Sequence, residues 1–169
     1  MITDTEVAGV IAALGYKEGG PIDTYKRQVA VMLLLALETG MRAGEIEGLE
    51  WRRVFIEQSY LHLDDTKNGT ARDVPLSSKA KALLGMMRGV DDERVFLVSG
   101  QTRDAIFRTA RVKAGLDGFT FHDARRTAAT RYSRKIDIMM LCRMFGWKNP
   151  KQAMVYYNPS ASDMASRLG

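Results

Sequence analysis

His122 and Arg125 stand three positions apart, so a helix that contains both presents them on one face, where they could address a single phosphate. Arg42 follows Thr39-Gly40-Met41, Lys67 precedes Asn68-Gly69, Trp147 follows Phe145-Gly146, and Tyr156-Tyr157 lie near the end. Two arginines, a lysine, a histidine, an indole donor and a tyrosine are the groups needed to break a phosphodiester without a metal. Phosphoryl transfer gathers negative charge on the non-bridging oxygens, and fixed cations must offset it. Arginine suits this work because its planar fork holds two oxygens at once and stays charged. A phenol can serve as nucleophile once neighbouring cations or a base help remove its proton.

Each residue also has an ordinary structural reading. Arg42 can pair locally with Glu45 at i+3, Arg125 can belong to a solvated basic face, and Lys67 can be a hairpin lysine. Trp147 and the tyrosine pair can be plain packing. As adjacent helical residues Tyr156 and Tyr157 would point about 100° apart, so only one can face a site, and spacing alone does not choose between them.

The elements that must position these groups can be read from periodicity and punctuation. Thr3-Asp4-Thr5-Glu6 has the form of a capping box, opening a helix that runs through Val7, Val10, Ile11 and Leu14 and stops at Gly15. A second helix starts near Thr24, is apolar almost all round from Val29 to Leu37, and ends at Gly40, which marks it as central and buried. Ala43 to Leu49 adds a short helical turn. Val54 to Ile56, Tyr60 to Leu63 and Ala71 to Leu76 are β-prone and separated by turn residues, predicting a three-stranded antiparallel sheet. Ser78 caps a helix through Leu83-Leu84, Val95 to Val98 is extended, and further helices cover Thr102 to Ala114, His122 to Tyr132, Asp137 to Phe145 and Pro150 to Tyr157. The expected fold class is α+β, mostly helical with one small sheet, in a single domain over residues 1–169.

With 46% hydrophobic residues the chain can bury a core, and its longest apolar run falls far short of the roughly 20 residues of a membrane span. A soluble, cytoplasmic protein is expected. Cys142 is the only cysteine, which excludes an intrachain disulfide, and with two histidines it makes poor material for a transition-metal site, so neither metal nor cofactor is expected. The net charge of +5 is unevenly placed: six Lys and Arg stand against nine Asp and Glu up to Tyr60, and nineteen against eleven beyond it. Positive charge collects where a polyanion would be gripped.

His122-Asp-Ala-Arg125-Arg-Thr-Ala-Ala-Thr-Arg131 resembles the His-x-x-Arg box of the tyrosine recombinases, the phage-integrase family, with Ala124 and Arg126 at positions where other residues are usual. Thr39-Gly-Met-Arg42-Ala-Gly-Glu45 is similar to the family's first arginine box, and Thr66-Lys67-Asn-Gly-Thr-Ala-Arg72-Asp-Val-Pro-Leu76 to its β-hairpin. Trp147 stands where most members carry histidine. The resemblance implies a metal-free catalytic domain acting on double-stranded DNA through a 3′-phosphotyrosine. Arg42, His122, Arg125 and Trp147 would hold the phosphate, Lys67 would protonate the departing 5′ oxygen, and Glu45 and Asp123 would support from behind. Counting the family's nine positions from Trp147 places the nucleophile at Tyr156. Arg72, Arg103, Arg126, Lys148 and Lys151 are candidates for DNA-backbone contacts. An N-terminal DNA-clamping domain would lie outside this chain. The whole protein would work as a homotetramer on paired DNA sites, with accessory DNA-bending proteins compatible, and the isolated domain as a monomer in a bacterial cell. The alternatives are type IB topoisomerase relaxation and a catalytically inactive DNA-binding module.

Overall fold

The computed structural model describes residues 1–64 and 71–169, so the expectation for Lys67 lies outside the described residues. Helix α1 (Asp4–Ala13) opens on the expected capping box, with the Thr3 side chain accepting from the Glu6 amide and the Glu6 carboxylate accepting from Thr3. Helix α2 (Tyr25–Thr39) is capped by Thr24 and stops at Gly40, whose φ of 69° is the left-handed geometry that glycine adopts without penalty. Every residue from Gln28 to Thr39 is buried, and α2 is the post around which the domain is built. Short α3 (Ala43–Glu47) follows, then a 3-10 turn at Trp51–Arg53.

Strands β1 (Val54–Phe55), β2 (Tyr60–Leu63) and β3 (Arg72–Pro75) form the predicted antiparallel sheet in the order β1-β2-β3. The pairs Leu61 with Val74 and Leu63 with Arg72 face inward, whereas Asp73 and Pro75 are exposed. Helix α4 (Ser78–Met86) is capped by Ser77, one residue earlier than expected, because its hydroxyl accepts from the Ala80 amide. Val95 to Val98 is extended and largely buried but pairs with no strand: the Gln28 side chain accepts from the Leu97 amide at 2.9 Å, doing the work of a sheet neighbour.

Helices α5 (Gly100–Lys113), α6 (His122–Tyr132) and α7 (Ile138–Phe145) match their predicted extents closely, and α6 packs along α2. Helix α8 is only Lys151–Met154, so both tyrosines lie beyond it in 3-10-type turns, Tyr156 donating to Ala153 and Tyr157 to Met154. A final helix, α9 (Ala161–Leu168), was not expected; its capping box of Ser160 and Asp163 is legible in the sequence, yet none of its residues is buried. The main core surrounds α2, and a second cluster of Ala128, Ala129, Leu141, Cys142, Met144, Phe145 and Ala153 joins α6, α7 and α8. Among the described residues no helix is long and apolar enough to cross a membrane.

Candidate active site

Arg42, Arg125, Trp147 and Tyr156 come together at the seam between the two cores, whereas no contact ties His122 to them among the described residues. Arg125 is buried at 5% exposure in α6, and it is seated by helix ends rather than by a carboxylate. Its Nη1 donates to the carbonyl of Gly40, the cap of α2, and its Nη2 donates at 2.7 Å to the carbonyl of Phe145, the last residue of α7. Carbonyls at a helix C-terminus lack intrahelical partners and carry partial negative charge, so two helices together solvate this cation. Among the described residues these two bonds use two of its five N–H donors. Burial, then the like charges of Arg42 and Arg72, push the guanidinium pKa down to about 9, while Glu45 and Tyr156 pull it back up.

Glu45 gathers the other two arginines. Its carboxylate accepts from the Arg42 amide at 2.8 Å and the Arg42 Nη1 at 3.2 Å, a capping box that fixes the start of α3. It also takes both ends of the Arg72 fork, at 2.8 and 2.9 Å. Burial raises the Glu45 pKa, but the hydrogen bonds and charge of Arg72, followed by those of Arg42, outweigh it and leave the group below its ordinary value. One carboxylate is thus set among three guanidiniums, and the site keeps a surplus of positive charge.

Gly146 ends α7 with φ 71°, the turn that brings Trp147 back toward Arg125. The indole packs on Phe145 with ring centroids 4.8 Å apart and stacks on Tyr156 at 5.7 Å with the planes 2° apart. The Arg125 guanidinium carbon stands 5.6 Å from the Trp147 ring centroid, so cation, indole and phenol form one assembly. Tyr157 is turned elsewhere: its hydroxyl donates to the Ile136 carbonyl, and burial pushes its pKa up. A cleft of about 440 Å³ lined by His62, Arg72, Asp73, Arg143 and Trp147 opens beside the stack, and another of about 560 Å³ borders Tyr156, Arg134 and Arg167.

His122 begins α6 and is exposed. Asp123 accepts from the Thr120 amide at 2.8 Å and the Thr120 hydroxyl at 2.9 Å, which pins the loop that leads into His122. Burial raises the Asp123 pKa, and those Thr120 bonds more than reverse it.

Two expected DNA contacts need correction. Arg72 is buried because strand alternation puts it on the same face as Val74, two residues on, and its Nε donates to the Met144 carbonyl at 2.9 Å. Arg103 is 9% exposed because it shares a helix face with Phe107 and Ala110; it binds Glu47 at 3.2 Å and lies over the Phe121 ring. Both placements could have been read from the periods of their own elements. Glu47, which sequence reasoning passed over, also accepts from the Gly100 amide at 2.7 Å and ties α3 to the start of α5. Arg126, Lys148 and Lys151 are exposed.

The sequence profile of the phage integrase family matches residues 2–163, and the chain belongs to that family. It is 35% identical over 170 residues to a putative integrase/recombinase of Haemophilus influenzae, covering 99% of this chain and 55% of that protein. It therefore spans about half the length of that relative. Among solved structures it resembles the catalytic domain of bacteriophage HP1 integrase, with TM-score 0.74, 19% identity, and coverage of 100% of this chain and 94% of the other. It is also similar to lambda integrase bound to a COC′ core site, with TM-score 0.73, 22% identity, and coverage of 95% and 59% respectively. These likenesses fit the helix-rich fold with its small antiparallel sheet.

Proposed function

We propose that the chain is the catalytic domain of a site-specific DNA recombinase that cuts and rejoins strands through Tyr156. The Tyr156 oxygen attacks the scissile phosphorus as its phenol proton passes to His122, the bond from phosphorus to the 5′ oxygen breaks, and the released 5′ oxygen takes a proton from Lys67. The covalent 3′-phosphotyrosine conserves the phosphodiester energy, so a 5′ hydroxyl from a second strand can reverse the step without ATP. Arg42 and Arg125 hold the non-bridging oxygens, with His122 and the Trp147 N–H as further donors. Indole has no proton to exchange near neutrality, which leaves proton transfer to Lys67 and His122.

The observation that carries this reading is a convergence of charge: among the described residues three guanidiniums gather around the Glu45 carboxylate, beside an aromatic stack that ends in a phenol. Buried charge costs several kcal/mol unless it is paired, on the order of what an incoming phosphate could recover. Tyr156 is favoured over Tyr157 because it is stacked on Trp147 and electrostatically coupled to Arg125, whereas the Tyr157 hydroxyl is already engaged. Duplex DNA is the substrate, bound by whole proteins in the bacterial cytoplasm as a tetramer on two sites.

A duplex nicked beside its cleavage point traps the intermediate, because the short cleaved fragment diffuses away before religation. Wild type and Tyr157→Phe should form a covalent adduct in EDTA, and Tyr156→Phe should form none while binding DNA almost normally. An adduct that persists in Tyr156→Phe and disappears in Tyr157→Phe would reverse the assignment. Activity abolished by EDTA and restored by Mg²⁺ would remove the metal-free mechanism.

A further inference from the structure

We infer that Arg72 is a positioning residue, the bracket that holds the first arginine and the tyrosine-bearing stack in mutual register; this rests on the catalytic reading above. All of its assigned bonds point into the protein. Nη1 and Nη2 clasp the two oxygens of Glu45 at 2.8 and 2.9 Å, and Nε donates to the Met144 carbonyl at 2.9 Å. The first clasp reaches Arg42, since the same carboxylate holds the Arg42 amide and Nη1. The second reaches Trp147, because Met144 lies in the last turn of α7 and the guanidinium packs directly on the Gly146 turn. A Cβ at Gly146 would meet the Arg72 Nη1 at 3.0 Å and its Cζ at 3.2 Å. One side chain on β3 therefore joins α3 to the end of α7, elements otherwise far apart in sequence.

The planar fork explains why arginine is needed here. Lysine could supply one charge, but it cannot span both Glu45 oxygens while donating sideways to Met144. Arg72 borders the cleft beside the stack, but with its side chain 5% exposed its three nitrogens are engaged by Glu45 and Met144 rather than held out toward a DNA phosphate. A misplacement of about 1 Å between reacting groups costs on the order of 100-fold in rate, while ground-state binding need not change.

The test compares Arg72→Lys and Arg72→Met with wild type, using folded protein as judged by circular dichroism. Single-turnover adduct formation at saturating nicked duplex should fall on the order of 10- to 100-fold in both variants, without rescue by lysine. DNA affinity should stay within about threefold, and its salt slope should not change. Weaker binding with a slope reduced by about 0.9 and an unchanged saturated rate would make Arg72 a phosphate contact and overturn the inference. So would full activity in Arg72→Lys. Hydrogen exchange gives a readout independent of catalysis. The Arg42 amide, bonded to Glu45, and the Trp147 amide, bonded to Cys142, should both exchange faster in Arg72→Lys. If wild type forms no adduct, the catalytic proposal fails while exchange still decides the bracket: unchanged protection at both amides sinks it. Should Arg72→Met not fold, Arg72→Lys carries every arm, and a Lys variant that also fails to fold refutes a role confined to positioning.

Discussion

Glu45 concentrates the electrostatics of the site in one side chain. It is 5% exposed, shares its oxygens between two arginines, and has a folded pKa below the ordinary value near 4.5. A carboxylate with a depressed folded pKa contributes stability that is fully present above its unfolded pKa and is lost as pH falls through the folded one. Glu45→Gln should therefore destabilise the domain by about 3–5 kcal/mol at pH 7, the usual result of leaving buried guanidiniums unpaired, and the gap to wild type should narrow as pH falls below the ordinary carboxylate value and through the lower folded one. Urea unfolding across that range measures it; a gap under about 1 kcal/mol at pH 7 would show that water replaces the carboxylate. Local spacing made the Arg42–Glu45 pairing and the shared helix of His122 and Arg125 legible. It could not show that Arg72 shares the Glu45 carboxylate, because that pair spans 27 positions and two elements. Nor could helical facing alone separate Tyr156 from Tyr157; the sequence did not announce that the Tyr157 hydroxyl would bond the Ile136 carbonyl while Tyr156 stacks on the Trp147 ring.

At the scale of elements, the site is an arrangement of helix ends. Helices α2 and α7 both stop on left-handed glycines, and the carbonyls beside those stops receive Arg125. Gly40 is fixed twice over, by its φ of 69° and by the Phe145 ring, which a Cβ would meet at 2.3 Å. Gly40→Ala should cost about 2–4 kcal/mol, adding backbone strain to overpacking. Gly44→Ala, at a helical position with open space around it, should instead be neutral or stabilise by up to about 1 kcal/mol. Thermal melts of the two variants check the contrast, and equal melting temperatures would mean that Phe145 can move aside at little cost. Elements closed by their own caps were readable: α1, α2 and the three strands lie close to where turn chemistry and alternation put them. Those settled by partners were not. Val95 to Val98 has strand composition, but the partners that meet it are the Leu49 carbonyl and the Gln28 side chain from a helix, which no local pattern announces. Likewise the expected helix through Tyr157 stops early, since Asn158-Pro159 disfavours helical geometry just beyond it.

Across the whole molecule, charge is divided between what holds the fold and what faces outward. Arg72 and Arg103 are buried on the carboxylates of Glu45 and Glu47, so they add to the formal charge of +5 while being spent on the fold, whereas the equally buried Arg125 is held by backbone carbonyls alone. Arg126, Lys148 and Lys151 remain exposed, Arg126 next to Arg125 in the chain and Lys148 next to Trp147. If they lie along the DNA backbone, each neutralised phosphate releases counterions and contributes about −0.9 to the slope of log K against log salt on duplex DNA. Changing all three to glutamine should weaken binding at low salt and make that slope shallower by about 2.7, equally for specific and random duplexes, since phosphate contacts carry no sequence information. Fluorescence anisotropy over a salt series gives both quantities. A slope that changes only on a specific duplex would mean that one of these side chains reads bases; an unchanged slope on both would place the DNA on another face of the domain.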